Sequence, residues 1–500
     1  MPSLRVAGSA AARSSRCARV ARSAAGLLAA LAGLVILLGA GGCDRGAGRA
    51  QKPNVLFISV DTLRADHLGS YGYRLDTSPT IDSLAASGVR FADATVQWPK
   101  TWPSMASMLT GKYPATTGVR FAPLRPLPDD HATLAEALRG AGFTTGAVVA
   151  NPNVGRDLRF DQGFDRFIES WAEELKRRTG VDKLENAPGA VKSYTNATIV
   201  TDAALRLIDE RDGEKPFFLW LHYIDPHGPY APPTDYRRLF FGAYPRKPVP
   251  LADLPRYQVQ IDRERGAPSD DLGFYIGQYD REIRYFDDQL ARLLKRLDEL
   301  EMRDDTLIVL TADHGEHLDE HGYYLEHGKS PYQPTAHVPL IFRLPGRVPE
   351  GRVVTQPVGL IDLVPTVLEL VGVPIPADVQ GVSLVPLWSG ETGTPYVFME
   401  SGTRQPSQLS IRKGSWKLSK LRAKEDRERF GRNEIELYDL ASDPGEREDV
   451  RAEHPEIARE LEAALAHWQK TTPSYRKTEA EAPRVDDRTR EMLKGLGYIE

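Results

Sequence analysis

The segment TWPSMASMLTGKYP, Thr101 to Pro114, carries the strongest chemical signal in the chain. Pro103 suits the first position of a helix running toward Thr110, which sets the Thr101 hydroxyl near a helix N-terminus among backbone N–H groups without partners. An oxyanion is stabilised in such a place. A plain N-cap uses the same residue type, so the reading depends on what else the fold brings there. A second segment, TADHGEHLDEHG, sets Asp313 and His314 just behind the apolar run LIVL. A carboxylate and an imidazole at a strand end suit a divalent cation, and Asp61 closes the apolar run NVLFISV in the same way. A third, WLHYIDPHGPY, holds His222, Asp225 and His227 at or beyond a strand end, and a fourth, EHGKSPYQPTAHVP, supplies His327, Lys329 and His337.

The elements that position these residues are short apolar runs at residues 54–60, 144–150, 217–222, 306–311 and 338–342. They alternate with helical patterns at residues 131–139 and 272–300. This alternation predicts an α/β fold, a mostly parallel sheet with helices on both faces and the chemistry gathered at the strands' carboxyl ends. Within the long helical pattern, Tyr279, Ile283, Phe286 and Leu290 share one apolar face and read as core. Past Pro395 the texture changes to YVFME, LSIRKG, WKLSK and EIELYDL, followed by a helical stretch from Pro455 to Trp468. That pattern predicts a small antiparallel sheet with one helix. Residues 420–432, rich in both charge signs, read as a solvated hairpin loop. His317, Glu320 and His321 read as solvated loop positions, and the stretch from Thr471 onward as poorly packed. Arg64 and Asp66 fit either a support for the Asp61 loop or a local ion pair. The resulting division is a signal segment at residues 1–43, a catalytic domain at 53–390, a small α+β subdomain at 395–470 and a tail at 471–500.

Residues 1–43 contain five arginines and no acid. An apolar stretch follows the arginines from Ala24 to Leu38, and AGGC ends at Cys43. This is a targeting segment, and its end is similar to a bacterial lipoprotein cleavage box that leaves Cys43 lipidated; an uncleaved single anchor is the alternative. Either places the body on the extracytoplasmic side, in the periplasm or at the cell surface. The other cysteine, Cys17, lies in the same segment, so a chain cleaved at Cys43 has neither disulfide nor thiol chemistry. The formal charge is -5, and removing those five positive charges leaves the remainder at -10, which argues against a nucleic-acid partner.

Taken together, the four segments resemble the sulfatase family of the alkaline-phosphatase superfamily over almost all of residues 53–470. NVLFISVDTLRADHLGSYGY is similar to its first metal-binding strand and loop, LTGKYP to its LTGR-Y-P turn, and ADHGE and HVPLIF follow in family order. LSIRKGSWKL and ELYDLASDPGE are similar to its small C-terminal sheet. The resemblance implies an alkaline-phosphatase-like α/β/α sandwich. It also implies one divalent metal held by Asp61, Thr101, Asp313 and His314, with Thr101 as both ligand and nucleophile. The imidazole donor favours zinc or manganese over calcium or magnesium. His227 and His327 are the candidates to bind the transferred group or protonate the leaving oxygen. Lys329, His337 and Asn153 are candidate substrate contacts, Lys329 being equally readable as a solvated lysine, and Asp225 with His337 is a candidate second metal site. The chain departs from the family where its chemistry lies. The Cys/Ser-X-Pro-X-Arg signature that yields formylglycine reads Thr101, Pro103 and Met105, the paired Asp-Asp reads Asp61-Thr62, and Gly-Lys-X-His reads Ala150-Asn151-Pro152-Asn153. Threonine there is similar to the superfamily's phosphodiesterases and phosphoethanolamine transferases, in which it attacks phosphorus. The expected activity is hydrolysis of a phosphate or phosphonate ester in a small-molecule, glycan or lipid substrate. The competing readings are a sulfate-ester hydrolase, a headgroup transferase and an inactive binding lipoprotein without metal.

Overall fold

The computed structural model describes residues 52–120, 125–171, 196–266, 268–402, 408–421, 424, 427–428, 431–475 and 486–496. Cys43 and the whole signal segment lie outside the described residues, as does part of the predicted 420–432 loop. Among the described residues thirteen strands form two sheets. They are β1 (Asn54–Val60), β2 (Val89–Thr95), β3 (Thr144–Val149), β4 (Arg166–Glu169), β5 (Phe217–Tyr223), β6 (Thr306–Ala312), β7 (His337–Arg343), β8 (Arg352–Val354), β9 (Val358–Gly359), β10 (Val397–Ser401), β11 (Gln408–Lys413), β12 (Trp416–Leu421) and β13 (Ile435–Asp439). The large sheet runs β4-β3-β5-β1-β6-β7-β2-β8, with β9 paired to β2. It is parallel except for β7, which lies antiparallel to both β6 and β2.

Buried side chains fill both faces of β1, β5 and β6, which explains their near-continuous apolar runs. Two groups of helices cover the sheet: Pro79–Ala86, Ala197–Asp209 and Leu272–Glu299 pack together, and Thr101–Thr110, Leu134–Gly140 and Leu363–Leu370 form the other group. The Leu134 helix starts behind Thr133, whose hydroxyl accepts from Glu136 N while Glu136 reaches back to Thr133 N, a capping box. The small sheet, β10-β11-β12-β13, is fully antiparallel. Its apolar face, with Leu409, Ile411, Leu418 and Leu437, packs on Leu461, Leu465 and Trp468 of the helix Pro455–Thr471.

Two expectations need correction. The stretch after Thr471 is not loosely packed throughout. Tyr475 N donates to Ala115 O, and a helix at Asp487–Gly495 buries Met492 and Leu493. His317 is not solvated either: it is 1% exposed, its Nε2 is 2.9 Å from the Ser330 hydroxyl, and its ring stacks on Tyr323. Among the described residues no helix is long and apolar enough to cross a membrane.

Candidate active site

Asp61 leaves β1 and Asp313 leaves β6, and the parallel register pairs Val60 with Ala312, so the two carboxylates emerge side by side at the sheet's carboxyl edge. One oxygen of each and one ring nitrogen of His314 lie within 4.8 Å of one another. All three residues are fully buried. His314 Nε2 stands 3.5 Å from Asp313 Oδ2 and 3.8 Å from Asp61 Oδ1. Its Nδ1 is 2.9 Å from the Gly315 carbonyl, which can only accept, so the proton resides on Nδ1 and the Nε2 lone pair faces the carboxylates. Burial, reinforced by His327, holds the imidazole well below its ordinary pKa and therefore neutral.

The donor set fits a divalent cation. Asp61 Oδ1 and Asp313 Oδ2 are buried with no hydrogen-bond partner, and so is His222 Nε2, 3.6 Å from Asp61 Oδ2. A buried carboxylate left in that state is costly unless a cation compensates it. Burial and the neighbouring Asp61 charge push Asp313 well above the carboxylate range, whereas His227, His222 and His314 outweigh the burial of Asp61 and hold it low. Two dry carboxylates that cannot both ionise unaided are what a metal site requires.

Thr101 opens the helix Thr101–Thr110, two residues earlier than Pro103 suggested; Lys100 is the N-cap, and Ser104 N makes the first helical bond to its carbonyl. Pro103 at the third position costs no hydrogen bond, because that N–H has no intrahelical partner in any helix. Thr101 Oγ1 lies 3.3 Å from His314 Nε2, and Thr101 also hydrogen-bonds the Asp313 carboxylate. The hydroxyl thus sits at the cluster.

The loops around it are held tightly. Thr62, where the family has its second aspartate, is in the left-handed region at φ 57°, uncommon for a β-branched residue. Its N–H donates to Asp313 Oδ1, its carbonyl accepts from Tyr279 OH at 2.7 Å, and Arg64 N donates to the same phenol. Tyr279 is therefore a core residue that also clamps the metal loop. Arg64 pairs with Asp66 and Glu320 and donates to Glu316 O, which makes it both a local ion pair and a tie to the Asp313 loop. Gly315 permits the closest approach: a Cβ there would stand 2.1 Å from Pro334 O.

His327 lies over His314 with ring centroids 4.3 Å apart, and His227 faces His327 at 5.1 Å. His327 Nδ1 is 2.9 Å from Glu316 Oε1. Burial raises Glu316 to about 8, while burial, with Lys100 and Lys329 nearby, lowers His327 to about 4. Lys329 pairs with Glu326 beside the Tyr323 ring. Asn153 is fully buried, and neither atom of its amide finds a partner among the described residues.

Three residues in or beside the cluster were missing from the sequence-based site. Asn151 Nδ2 donates to Asp61 Oδ2 at 2.6 Å and orients it. His222 sits within reach of Asp61, and Glu316 partners His327. Asn151 and Glu316 lie two residues from one already singled out, and His222 was named only as a strand-end histidine; the packing shows that all three point inward.

His337, at the start of β7, has its Nε2 2.9 Å from Ala92 O, and its ring borders a cavity of about 830 Å³ lined also by Arg64, Asp66 and Arg412. Asp225 Oδ2 accepts from Ala197 N at the start of a helix. The second metal site proposed for Asp225 and His337 is thereby not assembled, because the two side chains serve different structural bonds.

Known proteins bear on the identity at this point. A sequence model of the Sulfatase family matches residues 53–373, and one described as N-sulphoglucosamine sulphohydrolase, C-terminal, matches residues 319–471. The chain is 24% identical to an N-acetylglucosamine-6-O-sulfatase of Bacteroides thetaiotaomicron over 494 residues, covering 84% of this chain and 87% of that one. It is 29% identical to iduronate 2-sulfatase of Homo sapiens, covering 65% and 70%. Its fold is similar to that of a protein solved in complex with its substrate D-glucosamine-2-N,6-O-disulfate, at TM-score 0.68 and 22% identity, covering 84% of this chain and 98% of that one. A phosphonate monoester hydrolase from Silicibacter pomeroyi is similar at TM-score 0.65 and 23% identity, covering 85% and 96%. A family match over well over half the chain, on the fold just described, settles the class: this chain belongs to the sulfatase family of the alkaline-phosphatase superfamily, metal-dependent hydrolases of ester bonds.

Proposed function

We propose that the protein hydrolyses phosphate or phosphonate esters with Thr101 as its nucleophile. The observation that carries this reading is the Thr101 hydroxyl placed 3.3 Å from His314 Nε2 at the Asp61–Asp313–His314 cluster. Threonine carries a methyl group on the carbon that would have to become the formylglycine aldehyde. A threonine adduct therefore has no second hydroxyl to expel its group and must be cleared by water.

Asp61, Asp313 and His314 would hold the cation, and the imidazole donor favours zinc or manganese. When bound, the ion supplies Lewis-acid charge that lowers the pKa of a nearby hydroxyl and offsets developing negative charge. Thr101 Oγ1 bonds to phosphorus as the bond to the leaving oxygen breaks. At neutral pH Glu316 keeps its proton and His327 is neutral, so the Glu316 carboxyl donates to His327 Nδ1 and the ring's remaining hydrogen is on Nε2. That Nε2–H, with His227 beside it, is the donor available to the departing oxygen, and as it leaves the Glu316 proton passes to Nδ1, so the ring stays neutral and Glu316 becomes a carboxylate. Water then attacks the adduct and frees Thr101.

A second reading, hydrolysis of a sulfate ester on a glycan, draws on the similarity to an N-acetylglucosamine-6-O-sulfatase and an iduronate 2-sulfatase. Aryl phosphate monoester, phosphate diester, phosphonate monoester and sulfate ester assayed side by side, with metal content measured, decide between them. The phosphorus reading expects the phosphonate or phosphate esters to turn over fastest, and a sulfate ester preferred tenfold or more would replace it. We also propose attachment through a lipidated Cys43 to the extracytoplasmic side of a membrane. Cys43→Ser should release the protein from the membrane fraction; unaltered membrane retention would refute the anchor.

A further inference from the structure

The resemblance leaves a deficit of positive charge. The family's signature arginine reads Met105, and its Gly-Lys lysine reads Asn151, whose amide is bonded to Asp61. An enzyme that transfers an anionic group through a site containing two aspartates needs cations to hold the group's non-bridging oxygens. The structure contains one that no motif marks.

Lys100 directly precedes Thr101 in extended backbone, at φ -154° and ψ 139°. Its ammonium lies 4.7 Å from the centroid of the Trp102 ring, itself 4% exposed. Its carbon stem runs against the backbone of the His327-Gly328-Lys329 segment, where a Cβ on Gly328 would come within 3.2 Å of Lys100 Cδ. Lys100 and Lys329 are thus gathered beside His327, and both charges act on that ring. Lys329 has a carboxylate partner in Glu326. Lys100 has none among the described residues, and its charged neighbour is another lysine. A half-buried ammonium with a like charge beside it and no counter-ion stays in place at a cost that a bound anion removes.

We propose that Lys100 grips the non-bridging oxygens of the transferred phosphoryl or sulfuryl group, replacing the cations that Met105 and Asn151 no longer supply. Gly328 is in the left-handed region at φ 86°, which favours glycine, and its bare Cα leaves the lysine stem room to cross. The inference rests on the Thr101 cluster being the reaction centre, but it concerns anion binding rather than the identity of the nucleophile.

The test uses the full chain in detergent, loaded with metal, and inorganic phosphate and inorganic sulfate as probes in titration calorimetry. Lys100→Met should weaken the binding of both phosphate and sulfate tenfold or more, with metal content and circular dichroism unchanged. Lys100→Arg should recover most of the loss. Lys413→Met, which removes a surface lysine paired with Glu460, should match wild type. If Lys100→Met misfolds, Lys100→Gln takes its place. Phosphate affinity equal to wild type in the neutral variant overturns the proposal, and so does a wild-type protein that binds neither anion. Thr101→Ala separates the two readings: if it still turns substrate over while Lys100→Met loses phosphate, the nucleophile is wrong and the anion grip stands.

Discussion

At the scale of single residues, the site depends on which atoms lack partners. Asp61 Oδ1, Asp313 Oδ2 and His222 Nε2 are buried without hydrogen bonds, although most buried polar atoms in proteins are paired. A cation accounts for the two carboxylate oxygens, and His222 Nε2 faces Asp61 Oδ2 at 3.6 Å. Asp313→Asn removes one charge from that set, and metal content should fall together with activity; a variant with full metal occupancy would argue against the ligand assignment. Thr101→Ala should lower kcat by roughly 10³-fold or more while metal stays bound, because the hydroxyl is the reacting atom rather than an anchor for the fold. Asp61, Asp313 and His314 were legible because strand-end acids and a following histidine have a recognisable spacing. Asn151 and Glu316 were not, since an inward-facing side chain two residues along a loop looks the same in sequence as one facing water; His222 was named at its strand end, but its reach to Asp61 comes from the β1–β5 pairing. The bond of His337 to the Ala92 carbonyl was likewise invisible, because it follows from the antiparallel pairing of His337 with Thr95.

At the scale of elements, two loops fix the nucleophile helix and the metal loop. Gly315 lies under Pro334 O, so Gly315→Ala must push the Asp313–His314 turn aside. The expected result is a loss of about 1–3 kcal/mol of stability, together with weaker metal binding, by denaturant titration and metal analysis. Asp362 precedes the helix Leu363–Leu370 and accepts from Gly359 N and Val382 N, tying the segment that packs on the nucleophile helix. Burial raises its pKa to about 7. A carboxyl raised in the folded state contributes stability that is complete below its unfolded pKa, near 4, and is lost as pH rises through about 7. The stability deficit of Asp362→Asn relative to wild type should therefore shrink between those limits, by on the order of 1.4 kcal/mol per pH unit. A deficit that does not change with pH would mean Asp362 is ionised throughout. Strands β1, β3, β5, β6 and β7 announced themselves as apolar runs. Strand β2, VRFADAT, did not, because its polar and charged residues interrupt the run and its place in the sheet comes from pairing with β7, β8 and β9.

At the scale of the whole molecule, the order of motifs along the chain was enough for the α/β architecture and the small antiparallel sheet, since alternation and a change of texture survive without any distance information. The packing of the last residues was invisible, because Tyr475 and the Asp487–Gly495 helix are held by surfaces formed more than three hundred residues earlier and carry no strong periodic signal of their own. A cation bound only by the folded chain should stabilise the molecule by about 2.7 kcal/mol at a hundredfold excess over its dissociation constant, so chelation should lower the melting temperature and metal should restore it. The central claim, that Thr101 attacks the substrate at this cluster, is tested most directly by acid-quenching the enzyme during turnover of a phosphonate or phosphate ester and mapping the covalent adduct by peptide mass spectrometry. The account predicts a phosphoryl or phosphonyl group on Thr101, absent in Thr101→Ala; an adduct on another side chain, or full turnover by Thr101→Ala, would contradict it.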